Sequence, residues 1–402
     1  HGLAMNVRTE NFAAARANLL TLDSYCEVIV NTGGDNLCTN CANLFTIIVH
    51  EGISMLASIL KTCSGSIRSS IVVTAHNQAE ELRKHLPTLL LQDYPAEFEV
   101  VVVDMASTDD TLPVLEKMEE EYPSLRHTFT PDTARDISLE RLALTLGIRS
   151  ASFPWTILLH AGCRPASPYW LRRMGEAMLK DNDTRIVVAP VCPDHSEKGD
   201  EYTTMWNELL WLSYAAKHGA YRTGACNVAY RRDLFMQHHG FASHSLLAGG
   251  AIDIMVNHHS VSRNTAVTIR PESLMLYTPV TEDSDAHIMY METRRHLKCH
   301  HLFRIQYAMV AAALPASLLS AAATMTWMAL HAQWWLMSAA ALLMTMQWGV
   351  YHRAYARSVR VLGLQAPNPF AHLRAILIPL ADMRAWIRHR IMGSKTFRKK
   401  FV

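Results

Sequence analysis

The sequence predicts an α/β chain with a mostly parallel sheet, followed by a C-terminal transmembrane helical hairpin. Three observations carry this. Short β-branched runs alternate with segments of helical spacing between residues 69 and 160. Residues 305–352, 48 in all, contain no Asp, Glu, Lys or Arg. Residues 353–402 then hold 11 Lys or Arg against one acid, Asp382.

The elements follow in order. Residues 69–80 read SSIVVTAHNQAE. Ile71, Val72 and Val73 run into a polar loop, which predicts a buried strand ending in a site. Leu82, Leu86, Leu89 and Leu90 give helical spacing over 81–91, and Tyr94-Pro95 breaks it. Residues 98–103 predict a second buried strand, ending at Asp104. Residues 111–121 read as helix, closed by Pro123, and 138–151 as a third helix. Residues 155–159 predict another strand, ending at His160. Such alternation means parallel strands joined by right-handed crossovers. Ligands of these sheets bind beyond the carboxyl ends of the strands. Loops 74–77, 104–109 and 160–164 are therefore expected to meet in one cleft.

Composition narrows the classes. Half of the 402 residues are hydrophobic, which excludes a disordered chain. Eight Cys are too sparse for a disulfide scaffold. The net charge of +2 argues against a nucleic-acid binder. The charge is uneven, because the basic tail leaves −8 on residues 1–352. Such a tail suits anionic lipid.

The 48 uncharged residues suffice for two crossings of about 20 residues each. The expected spans are 305–330 and 334–351, with His331, Ala332 and Gln333 as the turn beside Trp327, Trp334 and Trp335. Arg294, Arg295, Lys298 and Arg304 precede the pair, and Arg353, Arg357 and Arg360 follow it. The positive-inside rule puts both flanks in the cytosol. The alternative is a helical hairpin buried in a soluble core. Residues 370–392 interleave apolar and Arg positions, as an interfacial amphipathic helix does. Residues 1–68 say least. His1 is not a natural initiator, so the start need not be native. Residues 42–60 are apolar but carry His50 and Glu51, a weak membrane candidate. Cys38 and Cys41 form a lone CxxC with no second pair to complete a zinc site. The adjacent pairs His238-His239, His258-His259 and His300-His301 cannot share a face within their own elements.

Residues 70–111 (SIVVTAHNQ…VVDMASTDDT) resemble the opening of the family 2 inverting glycosyltransferases of membrane-associated bacterial type. Asn77, the Gln92-Asp93-Tyr94-Pro95 turn, and Asp104, Ser107, Asp109 and Thr111 match that pattern. Gln78 and Met105 depart from it. The similarity continues through WTILLHAGCRPASPYW, GACNVAYRRDLF and GGAID, over roughly 69–297. It implies the GT-A fold, Rossmann-like with a mostly parallel sheet. It also implies a nucleotide-diphospho-sugar donor, with a UDP-sugar as first candidate. Nucleotide binding then falls to Thr74, Asn77, Asp104 and Asp109. A strand-end carboxylate can accept hydrogen bonds from a uracil N–H or ribose hydroxyls.

Two family motifs are degenerate. The Asp-x-Asp that holds Mg²⁺ or Mn²⁺ is replaced by His160-Ala161-Gly162, so no metal is expected. The family's general base lies near Gly-Glu-Asp, where this chain has Ala251 and Ile252, with Asp253 one place on. On a helix that step turns the side chain by about 100° away from the acceptor; on a loop Asp253 could still reach it. Arg164, Arg294 and Arg295 are candidates to meet the diphosphate or the acceptor, since guanidinium pairs phosphate bidentately.

The expected organisation is a variable segment 1–68, a GT-A domain 69–300, a helix pair 301–352 and a basic tail 353–402. The expected function is sugar transfer to a lipid-linked or cell-envelope glycan acceptor. The expected place is the cytoplasmic face of a bacterial inner membrane. The alternatives are a catalytically inactive relative that binds nucleotide-sugar, glycan or a partner enzyme, and a membrane scaffold.

Overall fold

The computed structural model describes residues 67–131, 138–194, 201–278 except 225, 242–246 and 248, then 293–299 and 334–364, with parts of 303–331 and 383–391. All lie in one compact unit, Ile59–Val402. The N-terminal segment, most of the first expected span and most of the basic tail fall outside the described residues.

The elements run β1 (Ser69–Ala75), α1 (Ala79–Leu90), β2 (Phe98–Asp104), α2 (Thr111–Glu121), β3 (Leu125–Phe129) and α3 (Leu139–Ser150). Next come β4 (Trp155–His160), β5 (Cys163–Pro165), α4 (Trp170–Met178), β6 (Ile186–Val188), β7 (Val191–Pro193) and α5 (Glu201–His218). The chain continues with β8 (Val228–Arg231), α6 (Arg232–Gln237), α7 (Ala251–His259), β9 (Thr265–Val267), β10 (Met275–Tyr277) and α8 (Trp334–Val361).

The main sheet has the order β3-β2-β1-β4-β8-β6-β9. β1 pairs in parallel with both β2 and β4, and β2 with β3. β8 alone runs antiparallel, between β4 and β6. The sequence carries no sign of that reversal, because a short buried strand reads the same in either direction. β1 is buried at every position, as expected for a strand covered on both faces. Ile71, Val73 and Ala75 face a core shared with Leu82, Leu86 and Leu89 of α1 and with Val114 and Leu115 of α2. Val72 faces the opposite core, with Leu144 and Ile148 of α3 and Ile252 and Val256 of α7. Gly147 lets α3 lie close against the sheet: a Cβ there would sit 2.3 Å from Val72 Cγ1.

A polar clamp ties the amino ends of the strands together. Glu99 of β2 is buried and accepts from Ser70 Oγ (2.6 Å) and from the Ser152 N–H (2.6 Å). Arg126 Nε of β3 donates to it as well (3.1 Å). Burial would raise this carboxyl, but the bonds from Ser70, Ser152 and Arg126 outweigh it and hold it low.

A small sheet, β5-β10-β7, flanks the main one. Its geometry depends on Asn227, fully buried with a left-handed φ of 58°. Asn227 Oδ1 accepts from Trp170 Nε1 (2.9 Å), and Nδ2 donates to the Pro190 (2.8 Å) and Ser273 (3.0 Å) carbonyls. The pair His300-His301 lies outside the described residues. His238, just after α6, stacks on His259 of α7 with centroids 4.1 Å apart, and burial lowers His259 to about 4.

α8 differs from the expected hairpin. The second expected span does not stop near residue 351 but continues through Arg353, Arg357 and Arg360 as one helix of 28 residues, about 42 Å long. Its last turns dock on the globular part: Tyr355, Val359 and Leu362 are buried with Met205, Cys192 and Leu274. Upstream, Trp335, Leu342, Leu343, Met346 and Val350 are exposed. Among the described residues, no helix is long and apolar enough to cross a membrane.

Glu99→Ala is expected to lower the unfolding free energy by about 2 kcal/mol, read by urea denaturation, because it leaves buried donors unmatched. Since the Glu99 carboxyl is held below its ordinary value, its contribution is present at neutral pH and lost as pH falls through that depressed value. Glu99→Gln should remove that part of the acid sensitivity.

Candidate functional site

The parallel register builds the site. Ala75 lies beside Asp104, and Thr74 beside His160. Beyond the strands the loops stay joined: the Met105 N–H donates to the Ala75 carbonyl (2.8 Å) and the Ala161 N–H to the Thr74 carbonyl (2.9 Å). Asn77 takes a left-handed φ of 52°, which Asn tolerates better than most residues. Its N–H donates to Ser107 Oγ (2.9 Å), and its amide oxygen accepts the Thr108 N–H (2.8 Å). Asp104 is buried and accepts from the Ser107 N–H (3.3 Å) and hydroxyl. Asp109 accepts from the N–H groups of Ala79 (3.2 Å) and Thr111 (3.1 Å), at the starts of α1 and α2. Burial would raise Asp109, but these bonds hold it low. Thr74, Asn77, Asp104, Asp109 and His160 therefore lie at one end of the sheet, on interlocked loops.

The next loop carries no hard-metal site. His160 is half-buried and its Nδ1 has no hydrogen-bond partner. Gly162 offers no ligand and has no room for one: a Cβ would meet the Thr278 carbonyl oxygen at 2.9 Å. Mg²⁺ and Mn²⁺ prefer oxygen ligands in number, so the residues present do not fit either ion. Cys163 and Cys226 are both fully buried here. Burial would raise the Cys163 thiol, but a hydrogen bond with Cys226 and the charge of His160 outweigh it and hold it well below its ordinary value. Cys226 is pushed up by that same bond and by burial. Glu140, in the first turn of α3, belongs to the same electrostatic neighbourhood. Burial raises its carboxyl, Arg141 and His160 oppose this, and Asp253 adds to the rise.

Asp253 sits in the first turn of α7, so of the two sequence alternatives the segment is helical. It is 1% exposed. Its Oδ2 accepts from Arg222 Nε (2.7 Å), and Oδ1 accepts from the Thr223 N–H and Oγ1 (both 2.8 Å). Arg222 in turn lies over the Trp211 ring, 4.8 Å from its centroid. α7 starts at Gly250, whose φ is 63°, and a Cβ there would press into Thr293 at 2.4 Å. Arg294 and Arg295 follow Thr293 and are exposed, so they stand beside the start of α7. Arg164 makes a bidentate pair with Asp194, both contacts 2.8 Å.

Glu208 of α5 has no counterpart in the sequence reading. It is 1% exposed. Burial raises it to about 8; Asp253 adds to the rise, while Arg222 and the Val191 N–H oppose it. Nothing in the pattern of α5 marks Glu208, since a lone acid on a mixed helix reads as surface. Cys226 and Arg222 were equally hidden, being single residues far from His160 and Asp253 in sequence.

Glu208 generates a pH prediction. Its folded value near 8 exceeds its unfolded value near 4.5, so the native state binds the extra proton between them. Stability should fall as pH rises from about 5 to about 8. Glu208→Gln should flatten that slope and raise Tm at pH 8, as thermal melts across pH would show.

Comparison with known proteins gives the following. No curated protein matches the chain significantly. Among solved structures, the mannosyltransferase PcManGT from Pyrobaculum calidifontis, in complex with GDP-Man and Mn²⁺, has a TM-score of 0.50 at 19% identity. That match covers 87% of this chain and 97% of that one. S. aureus TarS 1-349 in complex with UDP-GlcNAc gives 0.41 at 15% identity, over 59% of this chain and 69% of that one. At such identities the likeness concerns the fold, and the mannosyltransferase carries it. Residues 70–239 match the family described as Glycosyl transferase family 2. Residues 70–239 are thus similar to glycosyltransferase family 2, and the α/β fold that holds them is like that of the mannosyltransferase.

Proposed function

We propose that the chain transfers a sugar from a nucleotide-diphospho-sugar, UDP-sugars first, to a lipid-linked or cell-envelope glycan acceptor, with inversion at the anomeric carbon. The observation that carries this reading is the shared rim of β1, β2 and β4, where Thr74, Asn77, Asp104 and Asp109 converge. Asp104 retains acceptor capacity for ribose hydroxyls or a base N–H. The loops that frame it are already braced by Asn77 and Ser107, so little ordering would be needed on binding.

The leaving diphosphate falls to guanidinium groups rather than to a hard divalent ion. Arg294 and Arg295 stand exposed beside α7. Arg164 would reach a phosphate oxygen by exchanging it for Asp194. In the displacement, the acceptor hydroxyl oxygen bonds to the anomeric carbon as the carbon–diphosphate bond breaks. The hydroxyl proton passes to a carboxylate. Asp253 is the carboxylate left for the base role; because its segment is helical its side chain is turned from the acceptor, so it serves only after it loosens from Arg222 and Thr223 and the start of α7 shifts. A membrane-held acceptor agrees with the uncharged stretch 305–352, its Arg-rich flanks and the exposed apolar side chains of α8. On this reading the site works at the cytoplasmic face of an inner membrane.

One observation favours a second reading. Asp253 is closed off by three donor contacts, as in a relative that binds nucleotide-sugar without turning it over.

The test is nucleotide release from a panel of UDP- and GDP-sugars, on protein in detergent or nanodiscs, with and without Mn²⁺. GDP-sugars belong in the panel because the mannosyltransferase of like fold binds GDP-Man. Release without metal and without stimulation by Mn²⁺ is expected. Strict Mn²⁺ dependence would contradict the guanidinium account, and no release from any donor would favour the binder. Asp253→Asn should cut turnover by about 100-fold or more while circular dichroism stays unchanged.

A further inference from the structure

We propose that His160, Cys163 and Cys226 form a binding site for a soft transition-metal ion, zinc first, at the place where the hard-metal motif is missing. One ring nitrogen of His160 and the sulfurs of Cys163 and Cys226 lie within 4.8 Å of one another. Zinc bonds of about 2.0 Å to nitrogen and 2.3 Å to sulfur set tetrahedral ligand atoms about 3.5–3.8 Å apart. The trio therefore needs contractions of at most about 1.3 Å, within the reach of side-chain rotation.

Three independent attachments hold the ligands. His160 ends β4, anchored against Thr74 of β1. Cys163 opens β5, paired with Tyr277 of β10. Cys226 precedes Asn227, whose buried amide fixes that loop to Trp170, Pro190 and Ser273. Both cysteines are free and fully buried. His160 Nδ1 is buried without a partner, and an unsatisfied buried polar atom asks for an occupant.

The donor set selects the ion. Two thiolates and an imidazole suit zinc and disfavour Mg²⁺ or Mn²⁺. Binding displaces the two thiol protons to solvent. Two thiolate charges then cancel the dication. No fourth protein ligand joins the group among the described residues, which leaves one position for water or another oxygen donor. The site stands apart from the transferase reading, since its ligands could hold zinc in an inactive protein.

The test is Co²⁺ and Zn²⁺ titration of the full chain carrying Cys38→Ser and Cys41→Ser, which removes the CxxC as a competitor. One Co²⁺ per chain is expected, with thiolate-to-cobalt charge-transfer absorption in the near ultraviolet that Zn²⁺ abolishes. Cys226→Ser should remove most of that band. Cys226 is fully buried, so its variant is checked by circular dichroism. His160→Ala, at a half-buried position, gives a second arm and should weaken Co²⁺ binding measurably. A reference protein without the band, or a band unchanged in both variants, would overturn the proposal. So would a Cys163–Cys226 disulfide found by mass spectrometry in protein purified without reductant.

Discussion

The structure depends on the ladder that holds β1 between β2 and β4. Seven residues of β1 pair in parallel with β2, and six of them also pair with β4. Parallel pairing sends all three chains out at the same edge. That edge is where hydrogen-bonding loops replace the ladder and where polar side chains can be exposed without leaving the core short of partners. The ladder is fixed from the opposite edge by Glu99, which ties β1, β2, β3 and the turn before β4 together. A one-residue slip of β1 would carry Val72 into the core of Ile71 and Val73, so the register is strongly specified. The position of Asp104 beside Ala75 follows from the same constraint.

The rim is chemically unusual for what surrounds it. Positions 160, 162, 251 and 252 carry His, Gly, Ala and Ile, while the carboxylates of Asp253 and Glu208 are buried. Asp253 is neutralised by Arg222, and Glu208 keeps its proton to about pH 8 because burial disfavours its charge. His160, Cys163 and Cys226 stand together at this edge, sulfur and imidazole donors rather than hard oxygen ligands. Such a donor set favours soft ions over Mg²⁺ or Mn²⁺, and the loops of Asn77, Ser107 and Asp109 stay joined at the same edge.

Much of this is legible in the sequence, for physical reasons that differ by element. β1, β2 and β4 are apolar runs that stand apart from helix; β2 and β4 end in Asp104 and His160, and β1 runs on into His76 and Asn77, which mark the rim. α1 is plain from the spacing of Leu82, Leu86 and Leu89. β5 to β10 are three or four residues each, too short for periodicity to act on, and the antiparallel turn of β8 leaves no trace. Asp253 could be read as loop or helix because Gly249-Gly250 blurs the boundary; the left-handed φ of Gly250 starts the helix there. Cys226 and Glu208 are site neighbours only through tertiary packing. α8 differs in extent: absence of charge predicts a span ending near 351, and the helix runs on through Arg353 and Arg357, burying Tyr355 and Val359 against the domain.

The central claim is that the shared edge of β1, β2 and β4 is a nucleotide pocket. Titration calorimetry with UDP, on the intact chain and on Asp104→Ala, tests it most directly. The account predicts saturable binding of one UDP per chain, weakened at least tenfold by the substitution and unaffected by removal of Mn²⁺. Absence of heat with UDP and with GDP, or equal affinity in the two proteins, would contradict it.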